Sequence, residues 1–187
     1  MKAALNTVGF AHPPRNVGAF GIEHGMHIAD FGAGSGAYIL AIAKRLEQTG
    51  VVYAIDIQQD LLRRIKNEAR HRGYTNVEVL WSDLEKPGAS SIADRRLDIV
   101  LISNLLFQLE DKKTPLLEAW RTLKPLGKLI IVDWSESFGG MGPTKASVVK
   151  KETALMLARE CGFEFVKEFE AGAHHYGLVF RPVARRV

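Results

Sequence analysis

Asp30 stands two residues before the first of three alternating glycines, Gly32, Gly34 and Gly36. An acid followed at once by glycines suits a ligand with a cationic group and with atoms that need bare main chain. The carboxylate accepts from the cation, and backbone N–H groups become reachable where no Cβ intervenes. A second acid, Asp56, closes the apolar run Val51-Val52-Tyr53-Ala54-Ile55, about twenty residues past Gly36. That spacing is the one at which a carboxylate takes both hydroxyls of a nucleotide ribose as a bidentate acceptor.

The elements that must position these groups follow from the patterning. Ile28 to Phe31 is too short for a stable helix, while Ile39, Ile42, Ala43 and Leu46 recur at helical spacing, so the glycines sit at a strand-to-helix junction. A dinucleotide fingerprint can be placed on Gly32, Gly34 and Ala37. Asp30 separates the two cofactors, because NAD carries no ammonium group for it to meet and S-adenosylmethionine does. Asp30-Phe31-Gly32-Ala33-Gly34-Ser35-Gly36 resembles the first motif of the class I S-adenosylmethionine-dependent methyltransferases, and the resemblance runs from about residue 25 to residue 182.

Further along, Leu62, Ile65 and Ala69 give a helix its buried stripe, ended by Gly73, and Val77 to Trp81 reads as a third strand entering Ser82-Asp83-Leu84. The family pattern places an aspartate here on the adenine amine. Asp83 fits, since a carboxylate only accepts; the plainer reading is a loop aspartate or helix cap. Leu97 to Ser103 is the most apolar strand and is expected to be central. Asn104-Leu105-Leu106-Phe107 follows it without the prolines that shape a flipped-base slot in base-amine methyltransferases. Leu116, Trp120 and Leu123 mark a helix that Pro125 and Gly127 are expected to end, with a fifth strand from Lys128 to Trp134. Leu123-Lys124-Pro125-Leu126-Gly127-Lys128-Leu129 is similar to a signature of small-molecule methyltransferases of the quinone-biosynthesis type, with Leu126 in place of a glycine. Thr144 or Ser147 is expected to cap a last helix carrying Val148, Leu155 and Met156, closed by Gly162. A hairpin then runs from Phe163 to Phe169, turns at Ala171-Gly172-Ala173 and returns from His175 to Phe180.

The resemblance implies a doubly wound α/β sheet of seven strands, order 3-2-1-4-5-7-6 with the last strand antiparallel and helices on both faces. Residues 1–25 are expected to form a flap over the cofactor, with Phe10, His12 and Arg15 near the reaction centre, and residues 26–187 a single methyltransferase domain. The implied cofactor is S-adenosylmethionine, leaving S-adenosylhomocysteine. The cofactor set is Asp30, Gly32, Ala33, Gly34, Ser35, Gly36, Asp56, Ile57, Ser82, Asp83, Leu84 and Asn104. His12, Arg15, Leu105, His174 and Tyr176 are candidates for the acceptor pocket. His175 and Asp133 are candidates for catalysis, the acid orienting the imidazole, because His175-Tyr176-Gly177-Leu178 and Asp133-Trp134 match stretches of related sequences. No metal is expected.

The composition allows this reading and narrows the others. A chain of 187 residues with 47% hydrophobic content can bury one full core. Cys161 alone forms no intramolecular disulfide and no cysteine metal cluster. No apolar run reaches membrane-spanning length and the first 25 residues lack a signal-peptide layout, so a cytoplasmic monomer or homodimer is expected. The net charge of +4 is spread out. Arg63, Arg64, Lys66, Arg70 and Arg72 read as a solvated helix face, and Arg181, Arg185 and Arg186 as a basic tail. The expected acceptor is a small molecule. An RNA methyltransferase and a cofactor-binding partner subunit without turnover stand as alternatives.

Overall fold

The computed structural model describes residues 11–183, so Phe10, Arg185 and Arg186 lie outside the described residues. Pro13 and Pro14, whose fixed φ suits a first helical turn, open the four-residue helix α1 (Pro13–Asn16). A 3₁₀ turn over Val17–Ala19 leads on to β1 (His27–Phe31). The chain then alternates through α2 (Ala37–Leu46), β2 (Val51–Asp56), α3 (Gln59–His71), β3 (Val77–Trp81), β4 (Leu97–Ser103), α4 (Lys113–Thr122), β5 (Leu123–Trp134), α5 (Lys151–Glu160), β6 (Phe163–Gly172) and β7 (His175–Pro182).

The seven strands form one sheet in the order β3-β2-β1-β4-β5-β7-β6. β1 to β5 pair in parallel, and β7 lies antiparallel to both β5 and β6. This is the expected architecture. Ile39, Ile42 and Leu46 of α2 and Leu62 and Ile65 of α3 pack with Ile28, Val52, Ile99 and Ile130 on one face of the sheet. On the other face Leu116 and Leu157, from α4 and α5, meet Phe31, Val100, Leu129 and Leu178. Burying each such side chain stabilises the fold by roughly 1.5–3 kcal/mol.

Three boundaries differ from expectation. Helix α4 stops at Thr122, and Leu123 already pairs with Leu97, so Lys124 to Gly127 lie within β5 at an irregularity in register. The cause is competition for the helix's last carbonyls: those of Arg121 and Thr122 accept from the N–H groups of Arg95 and Arg96, at 3.0 and 2.8 Å. Thr144 and Ser147 do not cap α5. Their hydroxyls bond each other at 2.9 Å in a local turn, and α5 begins at Lys151 after the extended Lys150. That shift in phase leaves Met156 52% exposed while Ala154, Leu157 and Ala158 are buried. In the hairpin, β6 continues to Gly172, so the turn falls at Ala173 and His174, with a register irregularity between Glu170 and Gly172.

Candidate active site

Asp30, the next-to-last residue of β1, lies at the strand's carboxyl end, where the glycine loop begins. Gly32, Gly34 and Gly36 all have positive φ (78°, 52° and 78°), which lets the loop fold over the strand end without strain. A Cβ on Gly32 would come within 2.8 Å of Leu105, and one on Gly36 within 2.5 Å of Ile65, so glycine here also permits close packing of the loop against the next layer. Around Asp30 lies a cleft of about 370 Å³, lined by Gly32, Ala33, Gly34 and Ser35 of the loop, Ala11 and Pro13 of the N-terminal segment, Ala37 and Tyr38 of α2, and Ser103, Asn104 and Gln108.

Asp30 is 1% exposed, and its Oδ1 has no hydrogen-bond partner. Burial, and secondarily the nearby Asp56 charge, pushes its carboxyl up to about 8. A buried acceptor without a donor is costly unless a ligand supplies one. An ammonium group supplies one, so the site fits the methionine end of S-adenosylmethionine. Asp56 ends β2 beside it, its Oδ2 accepting from the Gly34 N–H at 2.9 Å and its Oδ1 from the Gln58 N–H at 2.8 Å. Each oxygen keeps a further lone pair for a ribose hydroxyl. The same carboxylate therefore holds the glycine loop and keeps acceptor capacity on both oxygens. Ile57 and Trp81, 58% and 65% exposed, form an apolar rim next to it, the Trp81 Nε1 donating to the Ile57 carbonyl at 2.9 Å. Asn104 has φ 53°, and its Oδ1 is buried without a partner.

Other expected cofactor residues are less directly placed. The Ser82 hydroxyl is turned to the Ala89 carbonyl, and Leu84 is buried in the core on the α4–α5 face. Asp83 accepts from the Glu85 N–H at 3.1 Å and lies 3.4 Å from the Lys86 ammonium, the arrangement of a loop cap.

Successive strand residues point to opposite faces of a sheet. Asp133 pairs with Tyr176 and Trp134 with His175, so Trp134 and His175 share the face of Asp30 and Ser103, while Asp133 and Tyr176 point to the α4–α5 face. Asp133 therefore does not orient the His175 ring, contrary to the expected pairing. It accepts from the Trp134 N–H at 2.8 Å. Burial drives its carboxyl up to about 7, against the backbone N–H groups of Trp134, Leu106 and Phe107, which favour the charged form. Tyr176 donates to the Val149 carbonyl at 2.9 Å.

His175 is 6% exposed and packs against Trp134 with ring centroids 4.3 Å apart. Neither ring nitrogen has a partner, and burial lowers its basicity to about 4, with His174 adding to the effect. His174 instead bonds Glu136 at 2.7 Å and stacks on Phe138. In the N-terminal segment His12 caps α1 by accepting from the Arg15 N–H at 3.3 Å, and Arg15 pairs with Glu170 at 2.9 Å. Both are exposed, and neither lines the cleft. The residues that sequence reasoning missed are Tyr38, Ser103 and Gln108, which line the cleft, and Asn16, which bonds Tyr38. The available signals were a phenol in the first turn after the glycines and a hydroxyl ending the most apolar strand.

Among solved structures, a S-adenosylmethionine-dependent methyltransferase from Aquifex aeolicus superposes with a TM-score of 0.84 at 26% identity, covering 96% of this chain and 94% of that one. A putative type 11 methyltransferase from Sulfolobus solfataricus gives 0.73 at 26% identity, covering 95% and 96%. A ubiquinone/menaquinone biosynthesis C-methyltransferase from Hydrogenovibrio crunogenus is 32% identical over 117 residues, 62% of this chain and 45% of that protein. One from Klebsiella pneumoniae is 29% identical over the same shares. The chain thus spans under half the length of these curated relatives. The methyltransferase-domain family matches residues 22–176, most of the chain, and with the sheet order and the acid-glycine cleft this places the protein among the class I S-adenosylmethionine-dependent methyltransferases.

Proposed function

We propose that the chain transfers the methyl group of S-adenosylmethionine to a small-molecule acceptor. The observation that carries this is the buried, donorless Oδ1 of Asp30 beneath the glycine loop, in a cleft lined by no lysine or arginine among the described residues. Asp30 would hold the ammonium group, Asp56 the ribose hydroxyls, and Ile57 with Trp81 the base edge. When bound, S-adenosylmethionine supplies a methyl group already activated on a sulfonium, so the protein's work is alignment and exclusion of water. Ala11 and Pro13, from the described part of the N-terminal segment, serve as one wall of the cleft. His175, neutral and without a partner on either nitrogen, lies on this face with Trp134 between it and the cleft, and its lowered basicity makes it a weak proton acceptor. Asp133 is a positioning residue for the loop after β4. The reaction at carbon named for the quinone-biosynthesis relatives makes an activated ring carbon the first acceptor class to screen.

Calorimetry with S-adenosylhomocysteine and NADH tests the reading: the first is expected to bind and the second not, and NADH binding more tightly would refute it. The acceptor class is tested by salt. An RNA enzyme loses affinity steeply as salt rises, so tight, salt-sensitive binding of structured RNA would remove the small-molecule assignment. On and just past α3, Arg63 pairs with Asp60 and Arg72 with Glu68, which takes two of these cations out of such a surface.

His175→Ala is expected to leave S-adenosylhomocysteine affinity within about threefold, because the ring is not among the groups lining the cleft. Its basicity in the folded chain is lowered from 6.5 to about 4, so the native protein loses stability as pH falls through that window. Removing the ring should flatten the stability profile between pH 6.5 and 4. An unchanged acid slope in denaturant titrations would show that the imidazole is not held neutral.

A further inference from the structure

Asn104 holds a left-handed backbone, φ 53°, without being glycine. β4 brings it to the cleft. Ser103, the last residue of that strand, is level with Val132 of β5, and the Asn104 N–H donates to the Val132 carbonyl at 2.8 Å. The chain then reverses into a 3₁₀ turn, Leu106–Gln108, and Gln108 reaches back, its Nε2 donating to the Asn104 carbonyl at 2.6 Å. Both main-chain groups of Asn104 are thus committed, which fixes the turn and the direction of its Cα–Cβ bond. The side chain is uncommitted: Oδ1 is buried without a partner, and Nδ2 has none among the described residues. Glycine would adopt the left-handed turn with less strain, and a buried amide oxygen without a donor is costly. An asparagine kept against both penalties points to a ligand that uses the amide.

We infer that Asn104, held in this turn by Gln108, reads the amino-acid end of the methyl donor together with Asp30. The inference rests on the cofactor assignment above and deepens it. Asn104 follows β4 and Asp30 lies near the end of β1, neighbouring parallel strands in which Phe31 is level with Ile102. Both residues line the same cleft, and each carries a buried oxygen with no donor. The loop after β4 also packs against the glycine loop, since a Cβ on Gly32 would come within 2.8 Å of Leu105. An ammonium group has three hydrogens, enough for both oxygens. The carboxylate beside it needs donors, and the cleft is lined by no lysine, arginine or histidine among the described residues. The unspent Nδ2 hydrogens of Asn104 are neutral donors suited to it. One amide then serves both groups of an α-amino acid, as acceptor to the ammonium and donor to the carboxylate. Gln108 is a positioning residue, acting on the ligand through the Asn104 turn.

The test compares S-adenosylhomocysteine, which carries the amino-acid end, with methylthioadenosine, which has the same nucleoside and lacks it. Asn104→Gly is the informative variant, because glycine adopts the left-handed turn freely and only the amide is lost. It is expected to weaken S-adenosylhomocysteine binding about tenfold and leave methylthioadenosine within about twofold, without lowering the melting temperature of the ligand-free chain. Gln108→Ala should weaken S-adenosylhomocysteine alone, by about threefold, and add nothing to the loss in Asn104→Gly, since it acts through that residue. Equal loss for the two ligands in Asn104→Gly, or no loss for either, would overturn the inference. Additive losses in the double variant would overturn the positioning role of Gln108. A native chain that binds neither ligand would remove the cofactor assignment as well, whereas native binding with an indifferent Asn104→Gly would remove this inference alone.

Discussion

Asp30→Asn is expected to bind S-adenosylhomocysteine about 100-fold more weakly than the native chain, and yet to be the more stable protein at pH 8. Both effects come from one carboxyl. Ionised, it is the partner an ammonium group needs; buried and without a donor, it is a burden on the empty fold. Its folded value stands near 8 against 3.8 for an ordinary aspartate, so the folded chain binds the proton more tightly than the unfolded chain does. The stability this supplies is complete below the unfolded value and is lost as pH rises through the folded one. The amide that replaces the carboxyl does not titrate, and the variant should gain on the order of a few kcal/mol over the native chain by pH 8. Asp133, raised to about 7, acts in the same sense, while His175 acts in the opposite sense below pH 6.5. The comparison is therefore cleanest between pH 6.5 and 8, by denaturant titration without ligand. Undiminished affinity, or the same fall in stability with pH in both proteins, would show that Asp30 is not the ammonium partner.

Asp56→Ala is expected to cost about 2–4 kcal/mol of cofactor affinity, since it leaves two ribose hydroxyls without their acceptor and removes a charge-assisted pair. The loss has a second source. The carboxylate also accepts from the Gly34 N–H at 2.9 Å and from the Gln58 N–H at 2.8 Å, so the variant releases the glycine loop as well. Hydrogen exchange at the Gly34 amide should accelerate even without ligand. Removing the Asp56 charge also relieves one of the two influences that raise Asp30, so the pH dependence of apo stability should move to lower pH. A weakened cofactor affinity with an unaltered Gly34 exchange rate would contradict the double role.

How far these sites were readable in the sequence depends on how local each constraint is. Asp30, the alternating glycines and Asp56 are fixed by strand ends and a tight turn, all within short stretches of chain, and the seven-strand order was what the family resemblance carried by those motifs implied. Tyr38 and Ser103 were not read, because α2 and β4 bring them together across the sheet, and Asn16 joins them only once α1 has packed on α2. Asp133 and His175 looked like partners because both lie at the meeting ends of β5 and β7. Register decides otherwise: Asp133 lies opposite Tyr176, and His175 opposite Trp134, on alternate faces. The starts of β5 and α5 were misplaced for a similar reason, as the competing bonds come from Arg95, Arg96 and a self-closed Thr144–Ser147 turn.

The two rims of the sheet are unequal in what they offer another polypeptide. β6 is interrupted twice in register, and its exposed Glu164, Lys167, Glu168 and Glu170 break the row of groups a foreign strand would need. Three of these acids are also tied down, Glu164 to Arg181, Glu168 to Lys151 and Glu170 to Arg15. A rim so bent and charged resists edge-to-edge addition of a second sheet. β3 at the opposite rim pairs in unbroken register with β2 and exposes Glu78 and Trp81. Protection against unwanted oligomer growth is thus concentrated on the hairpin side, where the late antiparallel strand was inserted.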